Sequence, residues 1–356
     1  MTLPPPVHGS AVVCQYIKDS KIINESFDCD YVNLSTSRKV DEIGKQSPIK
    51  IVRLLKALIK VLCFLLTHQY DLCYLAITCH GKGFIKDAPF VLLCKVFGRS
   101  IVIHQHNKGM SKDIGNWPYR LFLPLCYKKA KVILLSWNLY PDIEEVVRKE
   151  NVYICPNGIV ANECFKMVRN NTIPRLLFLS NLMFSKGVLV LLDALKILRE
   201  EGLSFVCDVV GGETKDLSKE SFKEEIFKRG LEGFIDYHGK MFGDEKVSFF
   251  ENADVFVHPT LDDCFPLVLL EAMQFSLPIV TTNEGGIPDF VKNKENGLIS
   301  EKNNPSSLAK SIAVLLKDKT LREKYGRKGR EIYEMDYSLN TFEVRMKEIL
   351  DSCLNE

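Results

Sequence analysis

The sequence predicts a parallel α/β protein of two similar domains, and three observations carry that prediction. Its 356 residues are enough for two domains of ordinary size. Short apolar runs alternate with helix-period segments along most of the chain, the pattern of parallel strands joined by crossover helices. A turn-rich stretch from Asn151 to Ile159, with Pro156-Asn157-Gly158 inside it, separates two halves built in the same style. The domains are expected at 1–152 and 153–335, with a C-terminal helix over 336–356 packing back toward the first.

In the first half, strands are expected at Cys73–Thr78, Ser100–His104 and Val132–Ser136, and helices at Ile51–Leu66, Pro89–Phe97 and Tyr119–Lys129. Val12–Cys14 is apolar but reads as helix rather than strand. The second half offers strands at Arg175–Ser180, Phe205–Val210, Ile235–His238, Asp254–His258 and Pro278–Thr281. Its helices are Val188–Glu200, Glu220–Arg229, Asp244–Asn252 and Pro305–Leu316. The pattern is two Rossmann-like layers around a cleft, with ligands beyond the carboxyl ends of the strands. Thr2 to Ser10 has the look of the loop that follows the first, central strand of such a layer, yet no strand precedes it. The expectation is a natural start further upstream.

Bulk properties narrow the function. Apolar content of 46% and charge of 26% are ordinary for a globular protein. The twelve cysteines include no C-x-x-C pair, which argues against a zinc ribbon or a thioredoxin-type site. With no secretory leader read at the start, they are expected as buried, reduced thiols. The most apolar helix, Ile51–Leu66, is interrupted by Arg53, Lys56 and Lys60, too many charges for a membrane span. The net charge of +2 hides an asymmetry: residues 1–150 carry 21 basic and 13 acidic side chains, and the rest carry 26 and 32. A basic half can face phosphates or an anionic membrane. For Ile51–Leu66 itself, membrane contact competes with a core helix that has a cationic outer face. Nothing points to nucleic acid, and no His/Asp/Glu cluster suggests a metal. Asp28-Cys29-Asp30 lacks the context of a metal-binding Asp-x-Asp and is taken as chance.

The most informative stretch runs from Asp254 to Pro288. A buried strand (Val255–Val257) leads to a polar loop (Asp262, Asp263, Cys264), and Pro266 suits the first turn of a helix. Glu271 follows Asp263 by eight residues, and a second apolar run with Gly285-Gly286 completes a strand–helix–strand unit. The helix start presents unpaired N–H groups, an anion site, while the two acids can bind hydroxyls beside it. That combination suits a sugar nucleotide. Taken singly, Asp263 reads equally as an N-cap and Glu271 as a solvated helix residue.

As an ordered string these residues resemble the carboxylate-x7-carboxylate signature of family 4 (group 1) retaining glycosyltransferases, which have the GT-B fold. The resemblance covers about Pro4 to Phe342 and is strongest from Lys186 to Pro288. It implies that Glu271 holds the ribose and Asp263 the transferred sugar. The family usually has Glu-Gly-Phe-Pro where this chain has Asp263-Cys264-Phe265-Pro266. Lys186, before a helix, matches the family lysine that neutralises the donor diphosphate; Asn181 stands where an arginine is usual. Phe265, Pro266, Leu267 and Val268 would complete the diphosphate site. Gly212 permits close approach, and Lys240 and Met241 lie in the loop on which the family rests the base. His106 loosely matches a family histidine near the donor sugar, with His104 the competing choice; His258 reads as a strand-end histidine. The resemblance thus implies Asp263, Lys186 and His106 as the catalytic set, without metal or cofactor beyond the nucleotide-sugar co-substrate.

In the basic half, His80-Gly81-Lys82-Gly83 and His106-Asn107-Lys108-Gly109 follow two strands. With Gly9 and Ser10 they form a candidate acceptor or diphosphate loop set, Lys82 and Lys108 supplying charge. The expected acceptor is a polyprenyl-diphosphate-linked glycan at the inner face of the cell membrane, in the cytoplasm, as in bacterial capsule or O-antigen (lipopolysaccharide) assembly. Two other classes stay open: a non-catalytic pseudoenzyme or assembly subunit, and a nucleotide-sugar epimerase. A nicotinamide dehydrogenase is disfavoured, since no G-x-G-x-x-G follows a first strand.

Overall fold

The computed structural model describes residues 1–37, 42, 47–162 and 169–355. They divide into two compact units, Met1–Gly158 together with Leu339–Glu356, and Ile159–Ser338. In chain order the first comprises α1 (Gly9–Asp19), α2 (Lys21–Ser26), α3 (Pro48–Thr67), β1 (Leu72–Ile77), α4 (Gly81–Val96), β2 (Ser100–Gln105), α5 (Met110–Asp113), α6 (Tyr119–Tyr127), β3 (Lys131–Leu134) and β4 (Val152–Ile154). The second comprises β5 (Arg175–Leu179), α7 (Val188–Glu200), β6 (Val206–Val210), α8 (Lys219–Lys228), β7 (Ile235–Gly239), α9 (Gly243–Asn252), β8 (Val255–His258), α10 (Leu267–Gln274), β9 (Ile279–Thr282), α11 (Ile287–Phe290), β10 (Gly297–Ser300), α12 (Pro305–Lys317) and α13 (Lys319–Asp336). Helix α14 (Leu339–Asn355) then rejoins the first unit, where it packs on α2.

The first unit holds a four-stranded parallel sheet in the order β1-β2-β3-β4, with Leu75 opposite Ile103 and Val132 opposite Val152. Among the described residues no strand precedes α1. Met1 to Leu3 instead run beside residues 32–34, the Met1 ammonium donating to Val32 O at 3.2 Å, and pack with Tyr74 and Ala76 at the β1 edge. Helix α4 begins eight residues before the expected Pro89. Gly81 and Gly83 weaken the local helix signal, but buried Phe84, Phe90 and Val91 anchor the extra turns and Pro89 is accommodated within them. Strand β4 lies inside the stretch read as hinge; three residues are too short to leave a periodic pattern.

The second unit holds a six-stranded parallel sheet in the order β10-β9-β8-β5-β6-β7. Its central strands are apolar because helices cover both faces. On one face Leu191, Leu195 and Leu198 of α7 pack with Ile312 and Leu315 of α12 over Phe178 and Val209. Elsewhere in the core, Phe250 stacks on Phe256 and Phe275 at ring distances of 5.8 and 5.3 Å. The strand order reverses between β5 and β8, so the crevice beyond those two carboxyl ends is a topological switch point.

Of the eleven described cysteines, Cys14, Cys79, Cys94, Cys126, Cys155, Cys207 and Cys353 are buried. No helix of the described residues is long and apolar enough to cross a membrane.

Candidate active site

At the switch point two loops are stapled together. The loop after β5 passes Ser185, whose carbonyl accepts from the Leu261 and Asp262 amides at 2.8 and 3.1 Å and from Thr260 Oγ1. Gly187, at φ +75°, lies so close to the second loop that a Cβ would fall 1.9 Å from Pro259 O. This staple aims Lys186 at the loop after β8. Lys186 Nζ lies 2.7 Å from Asp263 Oδ2 and 3.3 Å from Asp262 O.

Asp263 is held from three directions. Besides Lys186, His258 Nε2 sits 3.3 Å from the same oxygen, and Glu284 Oε1 accepts from the Asp263 amide at 3.4 Å. The carboxylate can only accept, so Nε2 carries the imidazole proton. Burial opposes ionisation of Asp263, but the His258 hydrogen bond and the Lys186 charge outweigh it and hold the carboxyl down at about 2. His258 is therefore more than the strand-end residue expected: it is the carboxylate's second partner, and its Nδ1 has none among the described residues. Glu284, itself buried, pairs with Lys302. Gly285, at φ +52°, lets this turn pass Asp263 and Cys264, whose carbonyl oxygens a Cβ would meet at 2.4 and 2.5 Å.

Beyond Asp263 the chain enters α10. Pro266 stands at the N-cap position, not inside the first turn, and no side chain caps the helix. The Leu267 and Val268 amides thus begin a helix whose dipole favours an anion. Glu271 lies further along α10, and Lys246 of α9 grips it at 2.8 and 2.6 Å to its two oxygens. Sequence reading missed Lys246, because the partners are 25 residues apart on different helices.

Asn181, in the arginine's place, uses Oδ1 to accept from the Gly212 amide at 3.0 Å and so ties the β5 loop to the β6 loop. Gly211 is required there, since a Cβ would meet Ser180 O at 1.8 Å. Lys240 packs beside Gly212, its ammonium 5.0 Å from the Phe242 ring centre. Met241 is half-buried in the same loop.

Among the described residues one group of side chains could hold an ion, Asp208, Asp236 and His238, which the sequence did not suggest. Arg175 already takes both Asp208 oxygens, at 2.9 and 2.8 Å, and supplies the positive charge an ion would bring. His238 Nε2 adds a contact to Asp208 at 2.7 Å.

In the first unit, His8 caps α1 and accepts from the Ala11 amide, with Ser10 Oγ at 3.1 Å from its ring; Gly9 opens the helix. The glycine loops are more occupied than their sequences suggest. The Gly81 amide donates to Asp113 at 2.6 Å, while the Gly109 and Met110 amides donate to Asp142 at 2.8 and 3.0 Å. Lys82 and Lys108 add positive charge to these loops. The His104 and His106 rings lie 4.0 Å apart between centres, tilted by 39°. Tyr74 OH lies 2.6 Å from His104 Nδ1, whereas both His106 ring nitrogens lack a partner among the described residues. Burial pushes both imidazoles down, His106 to about 4. A cavity of about 550 Å³ lies elsewhere in this unit, at the amino-terminal end of β1 near Tyr31 and Phe64, and these loops do not line it.

Residues 159–332 match the family model described as glycosyl transferases group 1. Among curated proteins, the chain is 29% identical over 180 residues to the capsular polysaccharide biosynthesis glycosyltransferase CapM of Staphylococcus aureus, a match covering 50% of this chain and 46% of that one. The chain thus spans about half the length of the curated relatives it matches. Two solved structures share its fold. One is a glycosyltransferase from Rickettsia africae ESF-5, with TM-score 0.72, 18% identity and coverage of 98% and 89%. The other is HepE of Anabaena in complex with UDP, with TM-score 0.69, 19% identity and coverage of 83% and 82%. The match to the glycosyl transferases group 1 model thus fills most of the second unit of a chain that has the GT-B fold.

Proposed function

We propose that this protein is a retaining, metal-independent glycosyltransferase that moves a sugar from a nucleotide diphosphate donor to a hydroxyl acceptor. The Lys186–Asp263 pair at the β5/β8 switch point carries the proposal: one cation for a diphosphate and one ionised acid for sugar hydroxyls, 2.7 Å apart. Glu271, one helix turn beyond the α10 start, is suited to the ribose hydroxyls. HepE, with the same fold, was crystallised with UDP, which supports a nucleoside diphosphate at this position.

In the reaction, the bond from the anomeric carbon to the β-phosphate oxygen breaks as the acceptor oxygen adds on the same face. The acceptor proton passes to the departing phosphate, so no enzymic nucleophile is needed. Lys186 and the Leu267 and Val268 amides stabilise the negative charge that grows on that phosphate. Asp263 orients the sugar, and its own charge is secured by His258. His106, Ser10, Lys82 and Lys108 are the first unit's candidates for acceptor contact, and polysaccharide assembly on a polyprenyl diphosphate at an anionic membrane is the setting we favour.

A thermal-shift panel of UDP, GDP, ADP and their sugars tests the reading. A nucleotide that stabilises wild type but not Lys186→Ala supports the site and names the donor class. No shift with any of them, from a cooperatively melting protein, overturns it. A second reading, an assembly subunit that binds donor without turnover, is favoured by Asn181, whose Oδ1 is committed to Gly212. Donor binding without transfer or hydrolysis would single it out.

A further inference from the structure

Helix α3 is apolar on two sides. Leu54, Leu58, Val61 and Leu65 face inward to varying depth, as expected for a layer helix. Val52, Leu55, Ile59, Leu62 and Leu66 form a second stripe at spacings of three and four, and all five are exposed, Ile59 at 60% and Leu66 at 67%. A helix with only a cationic outer face would show no such stripe. Exposed Lys56 and Lys60 border it on one side. Nothing acidic lies on α3: its four charged residues are Lys50, Arg53, Lys56 and Lys60. Helix α4, which packs on α3, exposes Val96 at 83%, and α6, which packs on α4, exposes Leu121 and Leu125.

We propose that the α3 stripe is a docking surface for an anionic lipid bilayer, with α3 lying in the plane of the interface. An apolar stripe edged by lysines is the form that inserts among acyl chains while its ammonium groups meet lipid phosphates. Charge decides between the two natural occupants. A second copy of this face would set Lys56 and Lys60 against their own counterparts, and the acid beside α3, Glu42, already pairs with Arg53, whereas an anionic headgroup layer complements the lysines. The proposal deepens the glycosyltransferase reading by naming the face that would bring the protein to a lipid-linked acceptor. It is tested without donor or acceptor, so the two can fail separately.

The experiment is co-sedimentation of the full chain with phosphatidylglycerol–phosphatidylcholine vesicles, against pure phosphatidylcholine vesicles, at low and high salt. Binding to the anionic vesicles, weakened by salt, is expected. Ile59→Asp should lower it about tenfold by placing a charge in the stripe. Lys56→Glu with Lys60→Glu should lower it similarly while leaving the apolar stripe intact. Both sites are exposed, so folding is checked by an unchanged melting curve. Wild type that stays with the supernatant overturns the proposal, as does binding that both variants retain. A dimer in light scattering that Ile59→Asp dissociates would assign the stripe to a second copy and overturn it as well.

Discussion

Glu271 and Lys246 form a two-pronged ion pair, the ammonium 2.8 and 2.6 Å from the two carboxylate oxygens. The pair fixes the acid's direction before any ligand arrives. Each oxygen keeps a further lone pair for a hydroxyl donor. Since both side chains are about one-quarter exposed, water shares in the pairing and its own contribution to stability is small.

If Glu271 holds a ribose, Glu271→Ala should weaken donor binding by about 1.5–3 kcal/mol, the loss of a hydrogen bond to a charged group. Titration calorimetry with the nucleotide found in the thermal-shift panel checks this. Unchanged affinity in a folded variant would leave the acid as no more than a partner of Lys246.

Asp263 links the site to acid stability. Its carboxyl is held at about 2 in the native protein, below the ordinary 3.8, so the unfolded chain takes up its proton first as pH falls. The stabilisation is therefore complete above about pH 4 and is lost on the way down to about 2, on the order of 2 kcal/mol in all. Asp263→Asn should lower the urea midpoint at pH 7, and the gap to wild type should narrow toward pH 3. A gap constant with pH would show that the ion pair is not its source.

The adjacent His104 and His106 imidazoles make a separate demand at milder pH. Native His106 resists protonation until about 4, whereas an unfolded imidazole charges near 6.5. The stability contribution is present above 6.5 and declines as pH falls toward 4, by on the order of 3 kcal/mol, with buried His104 acting in the same sense. His106→Gln should flatten the fall in urea midpoint between pH 7 and 5. A variant with the wild-type slope would remove His106 as its cause.

Gly187 is the joint on which Lys186 turns. Gly187→Ala places a methyl group against the Pro259 carbonyl at a left-handed φ, and should cost about 2 kcal/mol or more. It should also weaken nucleotide diphosphate binding more than Ala substitution at exposed Glu213, as thermal shift would show.

The strand–helix alternation of the second unit was legible because each central strand is a run of buried apolar residues and each helix has one apolar face. Lys186, Asp263 and Glu271 were legible because they stand in fixed order around those elements. Their partners were not. Lys246, His258 and Glu284 are ordinary residues until the sheet order places them, and periodicity says nothing about which loops meet at a switch point. Strand β4 escaped notice because three residues carry no period, and β10 because it opens on Gly297 and offers only Leu298 and Ile299 as an apolar run. The α3 stripe was hidden for the opposite reason: apolar residues surround that helix, so the sequence cannot say which of them face solvent.

Helix α14 lies on α2, although the one closes the chain and the other stands near its beginning. On the ribosome, then, the N-terminal half emerges first but cannot be finished first. Phe342 and Met346, wholly enclosed in the native protein, are made only after every residue of the Ile159–Ser338 unit has been joined. The Ile159–Ser338 half can mature while the other waits with an uncovered flank, so the order of completion runs opposite to the order of synthesis.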